Sequence, residues 1–97
     1  MYKIIIDPEI DAFILKLASF LKDNDNTSFL KVFTNEYRNL LDLLEVNPRI
    51  FHYYNNSERF RIFYIKNNYR FYYEIIEELQ IVNIVSLEHT NQKSFLE

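Results

Sequence analysis

Arg59-Phe60-Arg61-Ile62-Phe63-Tyr64-Ile65 is followed by Lys66-Asn67-Asn68 and then by Tyr69-Arg70-Phe71-Tyr72-Tyr73-Glu74-Ile75-Ile76. After Glu77-Glu78 comes Leu79-Gln80-Ile81-Val82-Asn83-Ile84-Val85-Ser86-Leu87. β-Branched and aromatic residues fill the three runs and polar residues punctuate them, which predicts a three-stranded antiparallel meander. Asn67-Asn68 reads as a two-residue turn, because Asn tolerates positive φ. That register sets Lys66 opposite Tyr69, Phe63 opposite Tyr72 and Arg61 opposite Glu74. Side chains alternate across a sheet, so two faces follow. Phe60, Ile62, Tyr64, Tyr69, Phe71, Tyr73 and Ile75 make an apolar face suited to the core. Arg59, Arg61, Phe63, Ile65, Arg70, Tyr72, Glu74 and Ile76 make the other, which holds every arginine of the hairpin. An even loop at Glu77-Glu78 adds Ile81, Asn83, Val85, Leu87 and His89 to the arginine face, whereas a bulge would swap them.

Working outward towards the N-terminus, Tyr2–Ile6 reads as a short strand. Asp7-Pro8-Glu9 starts a helix: Asp7 suits the N-cap, Pro8 the first helical position, and Glu9 the positive end of the helix dipole. Ile10, Phe13, Ile14, Leu17 and Leu21 form one apolar stripe at helical spacing, broken at Asp23–Asn26. A second helix runs from about Thr27 to Glu45, with a stripe of Phe29, Val32, Phe33, Tyr37, Leu40, Leu41 and Leu44, and ends at Asn47-Pro48. Both stripes read as core. Phe51-His52-Tyr53-Tyr54 is a further candidate strand, and Asn55-Asn56-Ser57-Glu58 a loop. The order β-α-α-β-β-β-β over residues 1–97 describes a single α+β domain. Its N-terminal strand and helical hairpin pack on one face of a small, mainly antiparallel sheet. The first strand enters the sheet beside a later one, since a lone strand leaves its backbone groups unpaired.

Ninety-seven residues suit one small domain, and 18% aromatic residues let a short chain bury a large area. Zero Cys excludes a disulfide scaffold and Cys-based zinc sites. Zero Gly excludes the P-loop, the dinucleotide fingerprint and the nucleophile elbow. No apolar run spans a bilayer. The chain enters Tyr2-Lys3-Ile4-Ile5-Ile6 directly, so no signal peptide is expected and the cytoplasm is the expected compartment. The net charge of -3 argues against a strongly nucleic-acid-binding surface. It hides a split: residues 49–73 hold five cations against Glu58 alone, a net of +4, which leaves -7 for the rest.

The order strand, helical hairpin, Asn47-Pro48-Arg49-Ile50, then Arg59-Phe60-Arg61-Ile62 and Tyr69-Arg70-Phe71-Tyr72-Tyr73, followed by an acidic turn, an apolar strand and Glu88-His89, resembles the RelE/ParE superfamily. Its members are toxins of bacterial type II toxin–antitoxin systems, and the resemblance covers nearly the whole chain. It implies growth inhibition neutralised by a cognate antitoxin, by one of two routes. RelE-like members cut mRNA in the ribosomal A site, whereas ParE-like members poison DNA gyrase. Carried over, the paired basic positions of the third strand fall on Arg61 and Phe63, and the arginine of the next strand on Arg70. The arginine after the last strand falls near His89 or Thr90, and the C-terminal tyrosine near Phe95 or Leu96. The RelE-type basic set is therefore incomplete. That and the acidic chain favour the ParE-like route. The alternatives are a ribosome-dependent mRNA endonuclease and a non-toxic protein-binding member.

RNA cleavage at a 2′-hydroxyl needs a base, positive charge for the phosphate and an acid for the leaving oxygen. The candidate catalytic residues are Arg61 and Arg70, for the phosphate, and His89, as base or acid. The candidate target-binding residues are Arg59, Tyr72 and Glu88, with Tyr72 placed to stack on a base. The competing structural readings are that His89 caps the last strand and that Arg61 pairs across the strands with Glu74. His52 has no ligand partners at metal spacing, and neither metal nor cofactor is expected. Phe63, Ile65, Tyr72 and Ile76 would leave the arginine face with an apolar patch, which an antitoxin segment would cover by helix docking or strand addition.

Overall fold

The computed structural model describes residues 1–55 and 57–91. The chain forms β1 (Lys3–Ile6), α1 (Pro8–Asp23), α2 (Thr27–Val46), β2 (Arg61–Ile65), β3 (Tyr69–Ile76), a 3-10 turn at Glu77–Leu79, and β4 (Ile81–His89). The strands lie in the order β1-β4-β3-β2. β1 runs parallel to β4, and the other neighbours are antiparallel. The helical hairpin covers one face of the sheet and the other face is open.

The local causes are visible at the helix ends. The Asp7 carboxylate accepts the Glu9 N–H at 2.9 Å and Pro8 occupies the first turn, so α1 begins where Asp-Pro-Glu predicts. The Asn24 side chain donates to Phe20 O at 2.8 Å at the other end. Asp25 then turns the chain at φ 55°, a conformation commonly left to Gly, in a chain that has none. Ile10 and Leu21 of α1 and Phe33 and Leu44 of α2 are buried, with Phe13, Ile14, Leu17, Phe29, Tyr37, Leu40 and Leu41 packed against the core. Val32 is the member of the α2 stripe left exposed.

The hairpin differs from the two-residue-turn expectation. Its loop is Lys66-Asn67-Asn68, with Lys66 at φ 57° and Asn67 at φ 58°. Ile65 therefore faces Tyr69, Phe63 faces Phe71, and Arg61 faces Tyr73 rather than Glu74. A one-residue slip turns every side chain of a strand over. Phe63 and Ile65 consequently join Tyr69, Phe71 and Tyr73 beneath the helices, and Ile62 and Tyr64 move to the open face. The energetic reason lies in the aromatic packing. Phe63 stacks on Phe71 with centroids 4.7 Å apart, Phe71 stacks on Tyr37 at 5.3 Å, and Tyr69 meets Phe33 edge-on at 5.4 Å. Phe63, Ile65 and Phe71 are each at most 1% exposed, against 50% for Tyr64. Full burial of such side chains contributes roughly 2–3 kcal/mol apiece, so the register that buries the pair Phe63/Ile65 wins over the cost of a left-handed Lys66.

A bulge then alters β4. Tyr72 faces Ser86 but Tyr73 faces Ile84, which leaves Val85 as the extra residue. Ile81 and Asn83 stay on the expected open face, opposite Ile76 and Glu74. Beyond the bulge Leu87 and His89 pair with Phe71 and Tyr69, and so turn to the helix side. The bare apolar patch expected on the arginine face is thus absent in the form expected: Phe63 and Ile65 are in the core, and Tyr72 is fully buried. Residues 51–54 make only a bridge, Tyr53 to Arg61, flanked by Ile62 N–H to His52 O at 3.1 Å and Tyr54 N–H to Phe60 O at 2.9 Å. The preceding segment is pinned under the sheet by the Tyr73 hydroxyl, which donates to Pro48 O at 2.7 Å. Burial pushes that phenol's pKa up to about 12. Among the described residues no helix is long and apolar enough to cross a membrane.

Candidate functional site

The open face is built where β2, β3 and β4 run side by side. Arg70 lies between Tyr64 of β2 and Glu88 of β4 in the ladder, and Tyr72 between Ile62 and Ser86. Arg70 Nε donates to Glu88 Oε1 at 3.0 Å and its Nη1 to Thr90 O at 3.4 Å. The two side chains are only 13% and 12% exposed. The hydrogen bond that Arg70 donates to Glu88 raises the pKa of the guanidinium above the ordinary arginine value, and the Tyr72 and Tyr54 phenols act in the same direction. Tyr72 is fully buried on this face because Tyr54, from the segment preceding β2, sits edge-on against it at 5.3 Å. Arg70, Tyr72 and Glu88, three of the candidate residues, are therefore brought together in one ordered, polar-aromatic cluster.

The other candidates lie elsewhere. His89 follows Glu88 along the strand, so it points to the opposite face. Its ring meets Tyr69 edge-on at 5.2 Å, and Tyr69 is itself packed against Phe13, Phe29 and Phe33 of the helices. His89 Nδ1 accepts the Asn91 N–H at 3.1 Å. Arg61 follows the parity of Phe63 and sits on the helix side. Its Nη1 donates to Phe51 O at 2.6 Å and Arg49 O at 3.4 Å, and its guanidinium lies 4.1 Å over the Tyr53 ring. The cross-strand Arg61–Glu74 pair is replaced by another: Arg59 Nε donates to Glu74 Oε2 at 2.6 Å, and Asn83 Nδ2 to Glu74 Oε1 at 3.4 Å. Phe63 is core, whatever position it takes in a motif. Phe95 and Leu96 lie outside the described residues. Among the described residues no group of three His, Cys, Asp or Glu could hold a metal ion.

Two neighbours of the cluster carried no signal in the sequence. Tyr64 was hidden by the register, which assigned it to the core. Tyr54 was hidden because only the bridge at Tyr53, a contact distant in sequence, brings it over Tyr72.

Residues 4–93 match the family described as the ParE toxin of the type II toxin–antitoxin system, parDE. The chain belongs to the ParE toxin family. This ParE-family chain is accordingly the toxin of a type II system, whose partner is an antitoxin. Its fold is similar to that in the crystal structure of the isolated E. coli RelE toxin, with a TM-score of 0.64 at 19% identity over 99% of this chain and 90% of that one. No curated protein matches it.

Proposed function

We propose that this ParE-family toxin inhibits growth in the cytoplasm by binding DNA gyrase, and that it does not cut RNA. The observation that carries this reading is the separation of Arg61, Arg70 and His89. A cleavage site must bring base, phosphate clamp and acid within hydrogen-bond reach of one phosphodiester. Here Arg70 lies on the open face, whereas His89 and Arg61 lie on the helix side, with His89 against the aromatic core and Arg61 bound to backbone carbonyls. In addition, Glu88 already occupies the Arg70 guanidinium, so a phosphate would have to displace an almost buried carboxylate. In this reading Arg70, Tyr72 and Glu88 form a rigid contact surface, with Arg59 at its rim, and the antitoxin neutralises the toxin by covering the same face. Purified toxin added to a DNA gyrase supercoiling reaction should inhibit it in proportion to its concentration, while an in vitro translation reaction proceeds with intact mRNA. Inhibition of translation with gyrase untouched would reverse the assignment. Hydrogen exchange in the antitoxin complex should show new protection around Tyr64 and Arg70; unchanged exchange there would place the antitoxin elsewhere.

A further inference from the structure

At the far end of the sheet from the hairpin turn, a cavity of about 230 Å³ opens between the segment after α2 and the starts of β2 and the 3-10 turn. Three arginines and three glutamates line it: Arg49, Arg59, Arg61, Glu58, Glu74 and Glu77. Two of the arginines are held by carboxylates, Arg59 by Glu74 and Arg49 by Glu77. Arg61 is different. Among the described residues no carboxylate lies within ion-pair distance of it. Its two hydrogen bonds both leave from Nη1, to the carbonyls of residues 49 and 51. Its flat face is taken by Tyr53. The guanidinium has five N–H donors, so the fork formed by Nε and Nη2 remains without a protein acceptor among the described residues. That fork is the geometry that grips a carboxylate or a phosphate bidentately. It is also fixed in advance: two carbonyls and an aromatic ring orient it, so little rotamer freedom is left to lose on binding.

We infer that Arg61 is the anchor of an oxyanion-binding site in this cavity, and that its ligand is a single carboxylate presented by a polypeptide. The surrounding charge selects the ligand. Glu58, Glu74 and Glu77 balance the three arginines, so the cavity as a whole is neutral and tolerates one added negative charge close to Arg61. A nucleic-acid strand brings a phosphate at every nucleotide and would place further charges against the same three glutamates. A lone Asp or Glu side chain, or a chain terminus, does not. The site lies at the end of the sheet remote from Arg70, where Arg61 of the helix side and the Arg59–Glu74 pair of the open face meet, and the inference holds whichever target the Arg70 surface contacts.

The test uses full-length, isotope-labelled toxin and follows the arginine Nε–H signals by NMR, assigned through bonds so that no variant is needed for the reading. N-Acetylglutamate is titrated as the carboxylate probe, N-acetylglutamine as its uncharged counterpart, and a single-stranded RNA oligonucleotide as the phosphate source. The Arg61 signal should shift saturably with N-acetylglutamate and stay in place with N-acetylglutamine. Arg61→Lys, which keeps the charge and loses the fork, should weaken the binding, followed on the neighbouring Arg49 and Arg59 signals, roughly tenfold or more, the equivalent of one charge-assisted hydrogen bond. An Arg61 signal that N-acetylglutamate fails to saturate overturns the site. A shift driven by the oligonucleotide at lower phosphate concentration than N-acetylglutamate requires overturns the choice of a polypeptide carboxylate.

Discussion

Arg61 and Arg70 are nine positions apart in adjacent strands, and the surroundings of the two guanidiniums have opposite designs. Arg70 is almost buried and its charge is met by Glu88, itself almost buried, so the pair behaves as one neutral, rigid unit of the open face. Arg61 keeps its charge uncompensated by any described carboxylate, and neutral groups, two carbonyls and a phenol ring, hold it in place. The difference teaches that basic residues close in sequence are not a cluster until the register is known. A three-residue loop in place of a two-residue one is enough to send them to opposite faces.

The largest expected effect tests that register. Phe63→Ala should destabilise the protein by about 3–5 kcal/mol, as truncation of a fully buried aromatic does, whereas Tyr64→Ala should cost under about 1 kcal/mol. Denaturant unfolding of both variants checks this, and the reverse order would restore the two-residue turn and reunite the arginines.

Next in size is the difference between the arginines themselves. Arg70→Ala leaves the Glu88 carboxylate nearly buried and unpaired, which should cost about 3 kcal/mol. Arg61→Ala removes hydrogen bonds to partly exposed carbonyls and a cation–π contact, for about 1–2 kcal/mol. The double substitution Arg70→Met with Glu88→Leu should regain most of the loss, because the pair and not the charge is what the fold needs. Equal losses at Arg61 and Arg70 would break the contrast.

Smaller still are two phenols that flank these sites. Tyr73→Phe loses the bond to Pro48 O that secures the segment on which Arg61 depends, at about 1–2 kcal/mol. The Tyr37 hydroxyl is buried with no partner among the described residues, so Tyr37→Phe should be neutral or stabilise by up to about 1 kcal/mol. Burial raises both phenols from 10.0 to about 12, that of Tyr37 with help from Asp11. Above pH 10 the unfolded chain gives up these protons and the folded protein keeps them. Stability is therefore full below pH 10 and falls as the pH climbs towards 12. Thermal melts across that window should flatten for each Tyr→Phe variant.

How much of this was legible follows from which contacts are local. Asp7-Pro8-Glu9, the two apolar stripes and the three β-rich runs are short-range signals, and the elements stand where these signals put them. β1 beside a later strand followed from the need to pair its backbone. The loop length at Lys66-Asn67-Asn68 was not legible, since Lys66 at φ 57° contradicts its own preference and is sustained by Phe63 on Phe71. A bulge was open as an alternative that would turn over the whole last strand, but its place at Val85, which turns over only Leu87 and His89, was not legible. For the site, Arg70, Tyr72 and Glu88 were legible as occupants of one neighbourhood. The separation of His89 and Arg61 from them was not, because each depends on one of those two shifts.

The proposed mode of action, a rigid contact surface that does not cleave RNA, is tested most directly in cells. The measurement is transcript end-mapping in cells shortly after the toxin is induced without antitoxin, in parallel with a fully growth-permissive control. Growth arrest with mRNA ends unchanged from the control is the expected result. New cleavage ends within translated codons, lost with Arg70→Ala or His89→Ala in folded protein, would contradict it.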